Sequence, residues 1–132
     1  MTSRMRHPSP AALMRHRDPA LLIDAIETRD GQTLGCTSRG AGPWPWPRML
    51  EGAAQTAGLL AGMQPGGPAA SSVIAQYRDV IVHGAVHRGP LRFVATFDRR
   101  VLHFWRCRVE VSDESGRLLL EGRVTLAPGK DA

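Results

Sequence analysis

The sequence predicts an α+β domain in which an antiparallel, curled sheet of about six strands wraps around one long central helix. Three observations lead there: one proline-bounded helical segment, alternating apolar and polar residues on both sides of it, and short turns between the segments that follow it. An apolar helix with no second helix to pack on must be covered by the sheet.

The helix is expected over residues 47–63. Pro47 suits a first helical position, where a missing N–H costs nothing, and Pro65-Gly66-Gly67-Pro68 stops the helix. Gly52, Gly58 and Gly62 inside it each cost about 1 kcal/mol relative to Ala, which implies close approach by another element. Within Leu50-Glu51-Gly52-Ala53-Ala54-Gln55, a carboxylate and an amide stand four positions apart and so share a face. That face continues through Gly58 and Gly62 among alanines and leucines, and nothing on it explains a charge. A carboxylate there is expected to be functional or paired with an arginine.

Before the helix, short strands at 20–27 and 32–38 join at Asp30-Gly31. After it come strands at 73–82 and at 91–98, the latter alternating Phe93, Ala95 and Phe97 with Arg92, Val94 and Thr96. Residues 103–111 point His103, Trp105, Cys107, Val109 and Val111 inward, and 117–126 do the same with Leu118, Leu120, Gly122, Val124 and Leu126. Asp113-Glu114-Ser115-Gly116 forms the hairpin turn between them.

A chain of 132 residues matches one domain spanning 1–132, with residues 1–15 as a short helix or flexible extension. A single curled sheet leaves two edges exposed, so a homodimer is expected, joined through strand 73–82, with Tyr77 and Asp79 as contacts. No apolar run approaches the ~20 residues of a membrane span. Ala11-Ala12-Leu13-Met14, between Arg4, Arg6, Arg15 and Arg17, is too short for a secretory core, and the expected location is the cytoplasm, with no membrane partner. Cys36 and Cys107 belong to no ligand cluster and read as buried, reduced thiols. His83 and His87 have helical metal-pair spacing, but Gly84, Gly89 and Pro90 put them in a strand end and turn, so no metal is expected. No phosphate-cradling glycine loop appears, and no cofactor is expected. The net charge is +5, and Lys130 is the one lysine among 17 basic residues. This balance attracts anionic partners. Nucleic acid is disfavoured, because the arginines are spread over many strands without a helix-turn-helix, zinc finger or aromatic stacking motif.

Three segments resemble a known family. Met14-Arg15-His16-Arg17-Asp18-Pro19-Ala20-Leu21-Leu22-Ile23-Asp24 is similar to the "LPHRxPFLLVD" opening of 3-hydroxyacyl-carrier-protein dehydratases. Leu50-Glu51-Gly52-Ala53-Ala54-Gln55 resembles their "(L/I)EAxAQ" helix, and Ala85-Val86-His87-Arg88-Gly89-Pro90-Leu91 their "PVxPGDxL" turn. The resemblance runs in order through nearly the whole chain and implies the hot-dog fold, a helix inside a curled sheet. It departs at one place. Typical members carry Gly-His-Phe-Pro before the helical glutamate, whereas this chain reads Ser38-Arg39-Gly40-Ala41-Gly42-Pro43-Trp44-Pro45-Trp46-Pro47, without histidine. A subgroup tied to aryl-polyene and related lipid pathways is similar in its short, Trp-bearing approach.

The resemblance implies an acyl thioester substrate on acyl carrier protein or coenzyme A. Glu51 would then be catalytic, with His16 replacing the absent loop histidine. Dehydration takes a proton from C2 and hydroxide from C3, so one group accepts a proton while another donates one. Backbone N–H groups around Arg48 and Met49, at the positive helix start, would face the thioester oxygen. Gln55 either orients Glu51 or bonds strand backbone, Trp44 and Trp46 either wall an acyl tunnel or plug the core, and His16 is either catalytic or a surface residue. Three functions follow: a dehydratase using Glu51 and His16, a thioesterase in which Glu51 alone activates water or attacks, and a non-catalytic acyl-binding subunit.

Overall fold

The structure, a computed structural model, describes residues 21–66 and 72–129. Residues 1–20, with the 1–15 extension and most of the first resembling motif, lie outside the described residues. Among the described residues, eight strands and one helix follow in order: β1 (Ile23–Arg29), β2 (Thr33–Ser38), β3 (Trp44–Pro45), α1 (Trp46–Gly62), β4 (Ser72–Val82), β5 (Val86–His87), β6 (Leu91–Val101), β7 (Phe104–Asp113) and β8 (Leu118–Pro128).

Six strands form one antiparallel sheet in the order β1-β2-β6-β7-β8-β4, curled around α1 as the sequence predicts. Local chemistry sets the hairpins. The Asp30 carboxylate accepts from the Gln32 and Thr33 N–H groups at 2.8 and 2.7 Å, closing the β1–β2 turn. Asp113 accepts from the N–H groups of Ser115 and Arg117, and Gly116 supplies the positive φ of 88° that the β7–β8 turn requires.

The core lies between the sheet and one flank of α1. Met49, Ala53, Ala57, Leu60 and Ala61 meet Phe93, Ala95, Val109, Val111, Leu120, Val124 and Leu126, all essentially inaccessible to solvent. Gly52 is where the helix comes closest: a Cβ built there would lie 2.5 Å from Cζ of Phe93. One interior glycine of the helix thus has the close neighbour expected of it.

Two features differ from the sequence expectation. His103 is exposed in the β6–β7 turn and not inward, because β6 runs on through Arg99 and Arg100 to Val101, with a register shift between Phe97 and Arg99. In addition, a small antiparallel ribbon of β3 and β5 pairs Trp44 with His87 and Pro45 with Val86. The chain also connects β4 to β6 by a short segment without pairing them. β4 crosses to the far edge and, among the described residues, pairs with β8 alone, bulging around Asp79 (φ 53°) where Val80 crosses Gly122.

Candidate active site

The ribbon fixes the start of the helix. Trp46 N–H donates to the Ala85 carbonyl at 2.8 Å, Pro45 is the N-cap, and no side chain caps the first turn. Pro47 has no N–H to offer, and Met49 stands four residues beyond Pro45, the spacing of the first intrahelical bond. This leaves the N–H of Arg48 as the first-turn donor without an i−4 acceptor in the helix. The Arg48 guanidinium lies over the Trp44 ring, 5.5 Å from its centroid.

Glu51 and Gln55 share a helix face but not an environment. Gln55 is buried, and its Oε1 accepts from the Leu22 N–H at 2.8 Å, tying α1 to the start of β1. Strand-backbone bonding, one of the two roles open to this amide, is therefore present. Glu51 is exposed within the chain. Despite its Gly/Ala surroundings the carboxylate is not enclosed: the helix stands beside β4, and β4 is the edge of the sheet among the described residues. One turn beyond Gly52, the buried Thr56 Oγ1 donates to the Gly52 carbonyl at 3.0 Å.

Tyr77 is the residue that sequence reasoning assigned elsewhere. It pairs with Val124, whose side chain is fully buried under the helix, so Tyr77 points to the helix side of β4. Burial holds its phenol above the ordinary value, and the Glu51 charge raises it further, which places the two groups within electrostatic reach. The alternation of Val73, Ala75 and Tyr77 could not carry the signal, because a bulge between Ile74 and Gln76 puts Ile74, opposite the buried Leu126, on the same face as Tyr77.

The remaining predicted residues scatter around this centre. Trp44 is buried, edge-on to Phe93 at 6.0 Å, and fills the core, whereas Trp46 is 41% exposed beside it. Met49 is fully buried. His16 lies outside the described residues. His83 pairs with Glu121 at 3.0 Å and His87 sits in β5, and no group of three metal-ligating side chains occurs among the described residues. Cys36 and Cys107 are free and buried, each thiol pushed up to about 12 by desolvation. No helix among the described residues is long and apolar enough to cross a membrane.

Comparison with solved structures identifies the architecture. The dehydratase heterocomplex ApeI:P from Xenorhabdus doucetiae superposes with a TM-score of 0.80 at 18% identity, over 96% of this chain and 95% of that one. A mutant of the thioesterase PA1618 from Pseudomonas aeruginosa gives 0.65 at 12% identity, over 78% of each chain. A hypothetical thioesterase protein with coenzyme A from Streptococcus pneumoniae gives 0.62 at 14%, over 76% and 81%. No protein-family model and no curated protein sequence matches the chain. The molecule has the hot-dog fold.

Proposed function

We propose that this protein acts on an acyl thioester at the Glu51 face of α1, as a dehydratase that converts a 3-hydroxyacyl thioester on acyl carrier protein to the 2-enoyl thioester. The observation that carries the reading is a carboxylate held on the second turn of the buried helix, open to solvent, three residues from Arg48, whose N–H has no i−4 acceptor within the helix. Glu51 would exchange the proton at one carbon while His16 serves the other, and the Arg48 N–H would bear the charge developing on the thioester oxygen. Gln55, fixed on Leu22, keeps the turn that carries Glu51 at constant height above β1. Trp46, exposed at the same helix end, offers an apolar wall to the acyl chain.

The homodimer belongs to this proposal. Val73, Ile74, Tyr77, Ile81 and Val82 are exposed along β4, an edge strand whose outer hydrogen-bonding side is unpaired among the described residues. A second copy joined there would cover the flank of Glu51 that this chain leaves open.

Thioesterase action is the second reading. It is favoured by the exposure of Glu51, which water can reach, and by the thioesterases among the structural neighbours. Mass spectrometry of a 3-hydroxyacyl carrier protein incubated with the protein separates them. Loss of water supports the dehydratase, release of free acid supports the thioesterase, and an unchanged substrate supports a non-catalytic acyl-binding subunit.

A further inference from the structure

The arginines are not evenly spread over the outer face of the sheet. Arg108 on β7 stands directly opposite Arg123 on β8, and Arg123 directly opposite Arg78 on β4, so one row crosses three adjacent strands with arginine at every position. Arg106 lies two residues along β7 from this row. All four line one cleft of about 220 Å³, with Thr125 in its wall and Asp98 as its one carboxylate. The cleft opens on the side of the sheet away from α1, because the neighbouring residues Cys107 and Val124 carry the buried, helix-facing side chains.

The row is unfavourable as a purely structural arrangement. Like charges directly opposite on neighbouring strands are destabilising. The adjacent row, Glu110 opposite Glu121, repeats the fault with the other sign, where a simple interchange would have paired opposite charges. Glu121 is taken by His83, and the nearest carboxylate to Arg123 is Asp79 at 3.9 Å, on exposed side chains where an ion pair contributes little. A second observation points into the cleft: Nε of Arg106 is buried and has no hydrogen-bond acceptor among the described residues. A desolvated guanidinium donor without an acceptor is costly, and an anion would satisfy it.

We propose that this cleft is an anion site for a phosphate or diphosphate group, held by Arg78, Arg106, Arg108 and Arg123. Neighbouring strands are ~4.8 Å apart, so adjacent guanidinium forks can each take one edge of the same phosphate or of two linked phosphates. The volume falls below the ~300–1,000 Å³ of pockets for drug-sized ligands, which favours a phosphate group over an entire coenzyme. The site stands apart from the thioester reading, since it is on the opposite face of the sheet from Glu51. Its ligand is either a free inorganic anion or the phosphate end of a larger molecule.

Titration calorimetry of the intact protein with pyrophosphate, and separately with coenzyme A, at about 0.15 M salt tests this. Saturable binding of pyrophosphate is expected, weakened at least about tenfold in Arg106→Gln and in the double variant Arg108→Gln/Arg123→Gln. Arg123→Lys, which keeps the charge and loses the fork, should weaken it less. Circular dichroism checks that each variant folds. Binding of pyrophosphate alone assigns the cleft to a free anion, and binding of both, lost together in the arginine variants, assigns it to a phosphorylated molecule. Glu51→Gln should bind as the wild type does. Absence of saturable binding, binding that survives the double variant, or binding lost in Glu51→Gln would overturn the proposal.

Discussion

Gly52→Ala is the sharpest probe of how this helix sits in its sheet. On an exposed helix the change would stabilise by about 1 kcal/mol through propensity alone. Here the new methyl group would lie 2.5 Å from Cζ and 2.7 Å from Cε1 of Phe93, so ring or helix must give by roughly 1 Å to reach ordinary carbon contact near ~3.5 Å. Phe93 has little freedom, being fully buried with its ring edge-on to Trp44. Overpacking of this kind costs ~1–3 kcal/mol. With the propensity gain subtracted, Gly52→Ala should destabilise by up to about 2 kcal/mol, a fall of up to roughly 8 °C in Tm, where an exposed site would gain about 1 kcal/mol. Urea unfolding at fixed protein concentration gives the number. The cause is tested in a Phe93→Leu background, where the space opens and the same Ala should be neutral or stabilising, a coupling of about 1–2 kcal/mol. A Gly52→Ala protein about 1 kcal/mol more stable than wild type, or the same change in both backgrounds, would refute the close-packing argument.

Glu51→Gln should keep the fold and remove most turnover, since the amide is nearly isosteric but exchanges no proton; near-wild-type turnover would dismiss Glu51. His16→Ala should cost a dehydratase several orders of magnitude and erase a pH-rate limb near ~6–7, while a thioesterase relying on Glu51 would be little changed. Ile81→Asp, on the exposed apolar edge, should turn a dimer into a monomer by analytical ultracentrifugation, and a wild-type monomer at micromolar concentration would remove the dimer from the account. The thiols of Cys36 and Cys107 are raised from 9.0 to about 12, so the fold favours their neutral form. Their stabilisation is complete below pH 9 and is lost as pH rises toward 12, at up to about 1.4 kcal/mol per unit and thiol. Replacing both with Ala or Ser should flatten the alkaline fall in the urea midpoint, and an unchanged slope would assign the fall to other groups.

Much of the architecture was legible because the periodicities are clean. Trp105, Cys107, Val109 and Val111 alternate without interruption, and the helix is framed by Pro47 and Pro65. Legibility failed where pairing between distant segments decides the structure. Asp98-Arg99-Arg100 looks like the polar end of a strand, yet β6 continues through it because β7 supplies partners as far as Phe104. The β3–β5 ribbon has two residues on each side, two of them Pro and His, and no periodicity can register at that length. For the site, spacing put Glu51 and Gln55 on one face but could not tell that one is buried and the other open. Their difference comes from where β4 and β1 end up, which is a property of the sheet order. The arginine row was invisible for the same reason: Arg78, Arg108 and Arg123 are far apart in sequence and meet only through register.

The placement of β4 has a bearing on how the molecule is made. Among the described residues its one partner strand is β8, the last of the eight, while β6, β7 and β8 form a meander of adjacent hairpins. On a ribosome, residues 72–82 emerge ahead of everything they will pair with and wait until residues 118–128 have been synthesised. At about 5–20 residues per second that interval lasts seconds, long compared with the microseconds in which a hairpin closes. Throughout it Val73, Ile74, Tyr77, Ile81 and Val82 travel as an unpaired apolar ribbon, ready to adhere to another nascent copy. Strand β4 is made early and housed last, so yield in a cell will depend on the concentration of neighbouring ribosomes and on the chaperones that shield this one segment.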